Sequence, residues 1–277
     1  MNTLIKQIED MSLNAWPSHK MELYDGWILR FSYFYTHRTN SVEQFGVSSL
    51  PWREKIPFCE EEYQRLGSPA IFKISPLVSL DFDYMLENRG YQIEHVTNVC
   101  ILSLDSSQKE LQPRDVPASA AASEGTVPCD IYRTVPTPDV ELSDSISPEW
   151  IESLFSLKKM TNPIHRRVVP SMYQAIPKET ISACVRRNGS VIATGLGILD
   201  RDYIGIYAIH VREDFRGKGL ARQVCSCLLK EGHKRGAANA YLQVVKDNTP
   251  AENLYASIGF RKLYDYWFRV QSPAQTV

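Results

Sequence analysis

Val211–Ala221, VREDFRGKGLA, is the stretch around which the rest of the chain is organised. It follows the apolar run Tyr203–Val211, which is typical of a buried strand, and it precedes a helical pattern over Gly219–Lys234. A tight turn with Gly217 and Gly219 at this place leaves backbone N–H groups free at a helix N-terminus, where they stabilise an anion, most naturally a pyrophosphate. Glycine lets phosphate oxygens approach the backbone and permits positive φ. An ordinary basic turn between a strand and a helix is the alternative interpretation.

The loop fits neither GxGxxG nor GxxxxGK[ST], so the dinucleotide fingerprint and the Walker loop are poor matches. Arg216–Ala221 instead resembles the acetyl-CoA loop of the GCN5-related N-acetyltransferases (the GNAT family), (R/Q)-x-x-G-x-(G/A). A second stretch, Asn248–Phe260 (NTPAENLYASIGF), is similar to the family's N-x-x-A-x-x-L-Y-x-x-x-G-F. The two motifs in this order imply the acetyltransferase fold, an α/β fold with a mixed sheet. A weaker resemblance to two-lobed acetyltransferases lies in GWILRF and YTHRTNSV of the first half.

Length and composition limit the possible classes of protein. With 277 residues the chain is long for one domain and suits two, and 43% hydrophobic with 23% charged residues is typical of a globular protein. The formal net charge of −1 gives no support to a nucleic acid or an anionic membrane as partner. No apolar run approaches the length of a membrane span and the N-terminus lacks a signal-peptide core, so we expect a cytoplasmic protein.

The cysteines and histidines do not have the spacing of metal ligands. The six cysteines include no CxxC, and Cys225 and Cys227 would diverge on a helix. Buried thiols are therefore favoured over a disulfide or zinc framework. The six histidines form neither HExxH nor HxH, so the sequence predicts no metal.

Local patterns predict the elements of the first half: an amphipathic helix, a hairpin about Asp25-Gly26, a polar loop, and then helix, strand, helix and strand. In order these are Asn2–Ala15, the strands Met21–Tyr24 and Trp27–Tyr35, the loop His37–Phe45, the helix Glu60–Leu66, the strand Ala70–Ile74, the helix Ser79–Asn88 and the strand Tyr91–Leu104.

The second half is predicted to form a sheet that contains a β-hairpin, with helices that connect its strands. Ser147 and Pro148 are typical of a helix start, and Asn188-Gly189 is a two-residue hairpin signal. The predicted elements are a strand at Val140–Leu142, helices at about 148–155 and Arg167–Ala175, strands Thr180–Arg187, Val191–Leu199 and Tyr203–Val211, the helix Gly219–Lys234, the strand Ala240–Val245, the helix Pro250–Ile258 and the strand Lys262–Val270.

A helix, a Gly-aromatic pair and a strand occur twice, at Met85–Leu102 and at Leu254–Val270. We interpret this as a weak internal repeat, so that the first half is a degenerate lobe of the same fold. An unrelated α+β domain with a chance similarity is the alternative. Ser106–Pro128 is poor in large apolar residues and rich in Ser, Ala and Pro, as a linker or exposed loop is. The predicted division is an N-terminal lobe at 1–105, a linker at 106–129 and a catalytic domain at 130–277.

The resemblance implies a role for each part of the loop. Backbone N–H groups of the loop would hold the pyrophosphate, with Arg216 at its entrance. Ile209 and Val211 would pair with the pantetheine arm as an added strand does, and an N–H near Ile209 would serve as an oxyanion donor. Asn248 would orient the helix or touch the same arm. The full set of residues expected to bind acetyl-CoA is Ile209, Val211, Arg216, Gly217, Lys218, Gly219, Leu220, Ala221 and Asn248.

Tyr255 matches the family's tyrosine that protonates the departing sulfur, which is feasible because thiol and phenol have comparable proton affinities. Packing of a helix end is its alternative role. The general base is less clear, because the strand before the loop carries no carboxylate on the face of Tyr203 and Tyr207. Tyr207 could pass a proton through water or line the acceptor pocket. His210 lies on the other face unless a bulge turns it inward, and Asp202 is a distant candidate.

The expected function is transfer of an acetyl group to a primary amine of a small molecule or peptide by direct transfer in a ternary complex. Aromatic residues between the lobes, Trp27, Phe31, Tyr203 and Trp267, are expected to line the acceptor site. A non-catalytic acyl-CoA sensor or scaffold is the alternative, and the chain is expected to be a monomer or homodimer.

Overall fold

The computed structural model describes residues 1–105 and 139–271. The predicted linker 106–129 and Cys129 lie outside this part of the chain. Nearly every predicted element is found within a residue or two of its expected bounds. The helices are α1 (Asn2–Ala15), α2 (Trp52–Arg65), α3 (Leu80–Asn88), α4 (Pro148–Leu157), α5 (Pro163–Gln174), α6 (Leu220–Lys234) and α7 (Thr249–Ile258). The strands are β1 (Lys20–Tyr24), β2 (Trp27–Phe31), β3 (Val42–Gln44), β4 (Ile71–Ile74), β5 (Gln92–Ser103), β6 (Val140–Ser143), β7 (Glu179–Arg187), β8 (Ser190–Asp200), β9 (Tyr203–Val211), β10 (Asn239–Val245) and β11 (Arg261–Val270).

Three elements of the first half depart from the prediction: β2 ends at Phe31 and not at Tyr35, and the expected loop 37–45 and helix α2 also differ. The expected polar loop 37–45 contains the short strand β3, which pairs with β2 and β4. Its polar neighbour Asn40 is buried because its side-chain oxygen accepts hydrogen bonds from the backbone N–H groups of Ser32 and Phe34. Helix α2 begins at Trp52, well before the expected start, and accommodates Pro57 inside it.

All strands of the described ranges form one sheet of eleven strands, in the order β1-β2-β3-β4-β11-β5-β10-β9-β8-β7-β6. The last strand of each half pairs with a strand of the other half. β5 pairs with β10, and β11 pairs with β4, while β5 and β11 run antiparallel to one another at the centre. A boundary at 105 therefore does not separate two independent sheets.

The two halves repeat the same arrangement about this centre. In each, a parallel strand pair is connected by a helix: β3 and β4 by α2, and β9 and β10 by α6. A second helix, a glycine with positive φ and the crossing strand follow, with Gly90 after α3 and Gly259 after α7. The internal repeat inferred from the sequence is thus present in the fold.

Apolar side chains fill both faces of the sheet. One cluster lies under α6, and another lies under α2 and α3. On the opposite face, α1 covers the centre of the sheet, and α4 and α5 cover β8. Among the described helices, none combines the length and the apolar character needed to cross a lipid bilayer.

Candidate active site

The glycine loop leads from β9 into α6 with its backbone open to solvent. Gly217 and Gly219 have φ of +72° and +78°, a region in which side chains are strained, and a Cβ at either would meet no atom within 4 Å. Gly219 is the N-cap of α6, and no side chain caps the helix there. The first N–H groups of α6 therefore remain available to a ligand, and the helix dipole adds positive potential.

A cavity of about 580 Å³ lies against this loop, between the end of β9, the start of α6 and helix α7. Its walls contain all but one of the residues expected from the sequence to bind the cofactor. The lining residues are Ile209, Val211, Phe215, Arg216, Gly217, Gly219, Leu220, Ala221, Arg222, Asn248, Pro250, Ala251, Leu254 and Tyr255. The exception is Lys218, whose ammonium donates to the carbonyl of Asp214 at 2.9 Å.

Strand β9 separates from β10 beside this cavity. Their parallel pairing ends at Ile206 and Leu242, after which β10 continues to pair only with β5. The β10-facing backbone of the last residues of β9 is consequently outside the ladder, and an extended ligand could pair with it. The separation places a cleft at the edge of the cavity.

A bulge at Ala208 changes which residues of β9 face the cleft. Ala208 has φ of +49°, and the register shift makes Ala208 and Ile209 both oppose Gly195 of β8. The Thr194 hydroxyl donates to the carbonyl of Ala208 at 3.2 Å and holds the bulge. Ile209 then points to α6, whereas His210 shares the α4 side of the sheet with Tyr207.

Tyr255 and Asn248 present polar groups to the large cavity from α7. Burial raises the pKa of the Tyr255 hydroxyl, with smaller contributions from Cys225 and Cys100, so the group stays protonated at neutral pH. Asn248 is the N-cap of α7, but its side chain makes no capping hydrogen bond and remains available to a ligand.

A second, smaller cavity of about 120 Å³ lies on the opposite side of β9. Tyr207 and Ala208 form part of its wall, so the bulge has one cavity on each side. The Tyr207 hydroxyl is 2.7 Å from that of Tyr241, and burial raises the pKa of Tyr207. The residues lining this cavity are Ala15, Trp16, Tyr35, Thr36, Arg38, Lys158, Tyr173, Leu196, Ile198, Tyr207 and Ala208.

His210 lies next to this smaller cavity, beside Lys158. Burial lowers the pKa of His210, and the positive charges of Lys158 and Arg216 lower it further. The backbone of Leu157 and the carboxylate of Glu213 act on this pKa in the opposite direction and have smaller effects. The sequence alone had placed His210 on the other face, because the bulge has no reliable signature in the alternation.

Comparison with known proteins agrees with this geometry. The model of the acetyltransferase (GNAT) family matches residues 148–260, which include the glycine loop and α7. An uncharacterized N-acetyltransferase of Bacillus subtilis, YobR, is 24% identical over 275 residues, covering 96% of this chain and 98% of the relative. Residues 148–260 of this chain thus match the GNAT family. The similarities support acyltransferase activity, for which that family uses acetyl-CoA as the cosubstrate.

Solved structures show that the two-lobed fold of this chain recurs in other proteins. A GCN5-related N-acetyltransferase from Kribbella flavida superposes with a TM-score of 0.61 at 12% identity, covering 98% of this chain and 96% of that one. A tandem GNAT protein from the clavulanic acid biosynthesis pathway superposes with a TM-score of 0.56 at 13% identity, covering 85% and 76%. At these identities the likeness concerns the fold.

The aromatic residues expected to line the acceptor site lie outside the walls of both cavities. Trp27 is buried in the N-terminal core against Phe72 and Phe82. The other members of the set are also held by core contacts: Phe31 packs on Tyr63, Trp267 donates to Asp83, and Tyr203 packs on Tyr241. Trp27 belongs to the apolar cluster of the N-terminal lobe, Phe31 and Trp267 pack against that cluster, and Tyr203 belongs to the cluster under α1.

The aromatic residues that do surround the smaller cavity come from separate places in the chain. Trp16 follows α1, Tyr35 follows β2, and Tyr173 is on α5. Each reads as ordinary core in the sequence, and only the fold brings them together.

The counterpart of the glycine loop in the first half is occupied by the protein itself. Asp25 accepts hydrogen bonds from the N–H groups of Ser49 and Leu50, just before α2, and from the Ser49 hydroxyl. These bonds lower the pKa of Asp25, so it is ionised at neutral pH. The buried Lys55 ammonium pairs with its carboxylate at 3.1 Å. An internal anion thus takes the place that a phosphate would have.

One group of side chains in the described residues has the spacing of a metal site. The ligand atoms of His37, Glu94 and His95 all lie within 4.8 Å of one another. His37 Nε2 is 3.1 Å from a Glu94 oxygen, so the pair is satisfied as a hydrogen bond without an ion. The group lies outside both cavities, and the expectation that the protein uses no metal stays a prediction.

Proposed function

We propose that this chain transfers an acetyl group from acetyl-CoA to the primary amine of a small molecule, by direct transfer across the bulge of β9. The observation that carries the proposal is the large cavity, which gathers the glycine loop, the separated end of β9 and Tyr255 around one space. The smaller cavity on the other side of Ala208 supplies a place for the amine.

The large cavity fits the chemistry of the cofactor. The uncapped start of α6 and the two positive-φ glycines form a cradle for a pyrophosphate. The unpaired edge of β9 beyond Ile206 offers peptide groups to the amides of the pantetheine arm. Asn248 adds a free side-chain amide. Acetyl-CoA supplies the acetyl group as a thioester, and this chain's residues position it.

The reaction forms an N–C bond and breaks the C–S bond, so the amine must lose a proton and the sulfur must gain one. Tyr255, held protonated by its burial, is the proposed donor to sulfur. A backbone N–H near Ile209 is the proposed donor to the carbonyl oxygen. His210, held neutral beside the smaller cavity, is the proposed acceptor of the amine proton, with Tyr207 as the alternative through water.

The match to the GNAT family model and the presence of Tyr255 in the cavity wall favour catalysis over a non-catalytic acyl-CoA sensor. The size of the smaller cavity, about 120 Å³, favours a small amine over a peptide.

Gly219→Glu tests the cofactor site. A carboxylate at this position would face the phosphates, and a like-charge contact costs several kcal/mol, so affinity for CoA should fall about 10²-fold or more. Gly236→Glu is the matched control, because Gly236 lies just beyond the other end of α6, also has positive φ, and also has open space around its Cβ position.

The two variants should lose similar folding stability, while only Gly219→Glu loses CoA binding in calorimetry and thiol release in an assay with an amine mixture. Equal CoA affinity in the two variants would show that the cofactor does not bind at this loop.

A further inference from the structure

The smaller cavity has positive charge in its wall and no acid. Arg38 and Lys158 line it, and no aspartate or glutamate does. Lys158 donates to the hydroxyl of Tyr35 at 3.1 Å, and Arg38 donates to the side-chain oxygen of Gln243 at 3.1 Å. Within the described part of the chain neither cation forms a salt bridge, so both keep an uncompensated charge.

In another cavity of this protein, by contrast, the cations in the wall do form salt bridges. A cavity of about 250 Å³ between α1, β3 and β4 also contains two lysines. There, Lys73 is paired with Glu9 and Glu43, and Lys6 is paired with Asp10. The protein neutralises the cations of that cavity with its own carboxylates. In the smaller cavity, no carboxylate of the described residues pairs with Arg38 or Lys158.

A simple amine suits the smaller cavity poorly. It would arrive as an ammonium ion, and two nearby positive charges would repel it. The same two charges favour the neutral form once the nitrogen is inside, which is the form that attacks a thioester. An acceptor that carries its own negative group removes the repulsion on entry and keeps the benefit.

We propose that the acceptor is a small amine that also carries an anionic group, with an apolar or aromatic body. Arg38 and Lys158 bind the anionic group, and the rings of Trp16, Tyr35 and Tyr173 pack on the body. The inference rests on the acetyl transfer proposed above and names the class of acceptor for it. A carboxylate and a phosphate share the required chemistry.

Matched pairs of amines test the proposal. L-tyrosine and tyramine, and L-phenylalanine and phenethylamine, differ in a carboxylate, while tyramine O-phosphate and tyramine differ in a phosphate. With acetyl-CoA present, the anionic member of at least one pair should have a kcat/KM about 10–100-fold higher, the range that charge-assisted hydrogen bonds supply. The pair that shows the preference identifies the anionic group. If the amine without the anionic group has an equal or higher kcat/KM in all three pairs, the proposal is overturned.

Lys158 provides the variants, because its side chain is exposed and its replacement does not threaten folding. Lys158→Gln should remove most of the preference through KM of the anionic amine, and Lys158→Glu should reverse it. Lys159→Gln is the matched control, since this neighbour pairs with Glu213 and lies outside the cavity wall. Loss of the preference in the control as well would overturn the assignment to Lys158.

Binding without turnover separates this proposal from the proposed reaction. 3-Phenylpropionate and 3-(4-hydroxyphenyl)propionate have the anionic group and no amine, and phenyl phosphate is the phosphate counterpart. At least one of these should raise the melting temperature of the wild-type protein and of Lys159→Gln, but not that of Lys158→Glu. No shift with any of the three would overturn the proposal, whereas failure to bind acetyl-CoA would overturn the proposed function instead.

Discussion

At the scale of single residues, the hydroxyl of Tyr255 differs from the hydroxyls of three other tyrosines. Those of Tyr207 and Tyr241 bond to each other, and that of Tyr264 donates to Glu9. Tyr255 instead lines the large cavity, and no hydrogen bond of its hydroxyl is found among the described residues. A hydroxyl left without a protein partner in a cavity wall is suited to serve a ligand.

We therefore expect Tyr255→Phe to lower kcat by about 10²–10⁴-fold, the range for loss of a positioned acid, and to leave CoA affinity unchanged. Stability should barely change, because no internal hydrogen bond is lost. Steady-state kinetics with CoA titrations and thermal unfolding measure the three quantities.

Tyr207→Phe is the comparison, and it should behave differently. It leaves the Tyr241 hydroxyl without its partner, which costs about 1–3 kcal/mol of stability, and it should mainly raise KM for the amine. Similar small kinetic effects in both variants would mean that Tyr255 only packs the end of α7 and that the thiolate takes its proton from water.

His210 leads to a prediction about pH. Burial, Lys158 and Arg216 lower its pKa below the ordinary value of about 6.5, so it is neutral at pH 7 and becomes protonated only in more acidic solution. If neutral His210 accepts the amine proton, kcat/KM should fall as pH drops below its lowered pKa. His210→Asn should lower the plateau and abolish that inflection. An inflection that survives the substitution would assign it to another group.

The same lowered pKa makes stability depend on pH in a known direction. The unfolded chain binds the proton at higher pH than the folded chain, so the free energy of unfolding should decrease as pH falls from about 6.5 towards the folded pKa. This contribution should be absent from His210→Asn in denaturant titrations at several pH values.

At the scale of elements, β9, the glycine loop and α6 show what could be predicted from the sequence and what could not. The apolar run, the glycines and the helical spacing each have a local cause, so the strand, the turn and the helix were predictable within a residue. The bulge at Ala208 was not, because it depends on the register of β8 and on the Thr194 bond. One inserted residue moved His210 to the other face and changed the candidate base.

The smaller cavity could not be predicted from the sequence either, for a different reason. Trp16, Tyr35 and Tyr173 look like core residues, and nothing local distinguishes a ring that faces a cavity from one that fills a core. Trp27, which looked equally suitable, is buried in the N-terminal core, and Trp267 packs against that core from β11. Local sequence largely decides whether a segment forms a helix or a strand. The residues that line a cleft depend instead on which elements the fold brings together.

Helix α2 gives a prediction about the N-terminal lobe. Asp25 occupies the amides before α2 and neutralises Lys55, so this lobe should bind no cofactor and the whole chain should bind one CoA. Calorimetry should give a stoichiometry of one per chain, and two would contradict the assignment. Asp25→Ala should lower the melting temperature clearly, because it leaves the Lys55 ammonium buried without its anion. Asp265→Ala, which breaks only an exposed pair with Lys262, should lower it little.

At the scale of the whole molecule, the exchange of last strands makes the two halves interdependent. The sequence repeat at Met85–Leu102 and Leu254–Val270 correctly indicated two related lobes, but it could not show which strand each repeat would join. Strand pairing is non-local, and either arrangement satisfies the same alternation of apolar residues. The structure places β5 between β11 and β10, and β11 between β4 and β5.

Neither half should therefore fold alone. A fragment 1–105 lacks the partners of both edges of β5 and of one edge of β4, and a fragment 139–277 lacks the strand that separates β10 from β11. Such exposed edges of apolar strands promote aggregation. Each fragment expressed by itself should be insoluble or unfolded, whereas the two expressed together should assemble into a soluble complex that binds CoA.

The intact chain should correspondingly unfold in one cooperative transition, with the same midpoint by tryptophan fluorescence and by circular dichroism. The tryptophans make this a sharp test, since Trp27 is buried in the N-terminal core and Trp150 is buried in the C-terminal half. Variants that keep only Trp27 or only Trp150, with the other four tryptophans replaced by phenylalanine, report on one half each. Two separated midpoints, or a soluble folded 139–277 fragment that binds CoA alone, would show that the exchanged strands do not couple the lobes.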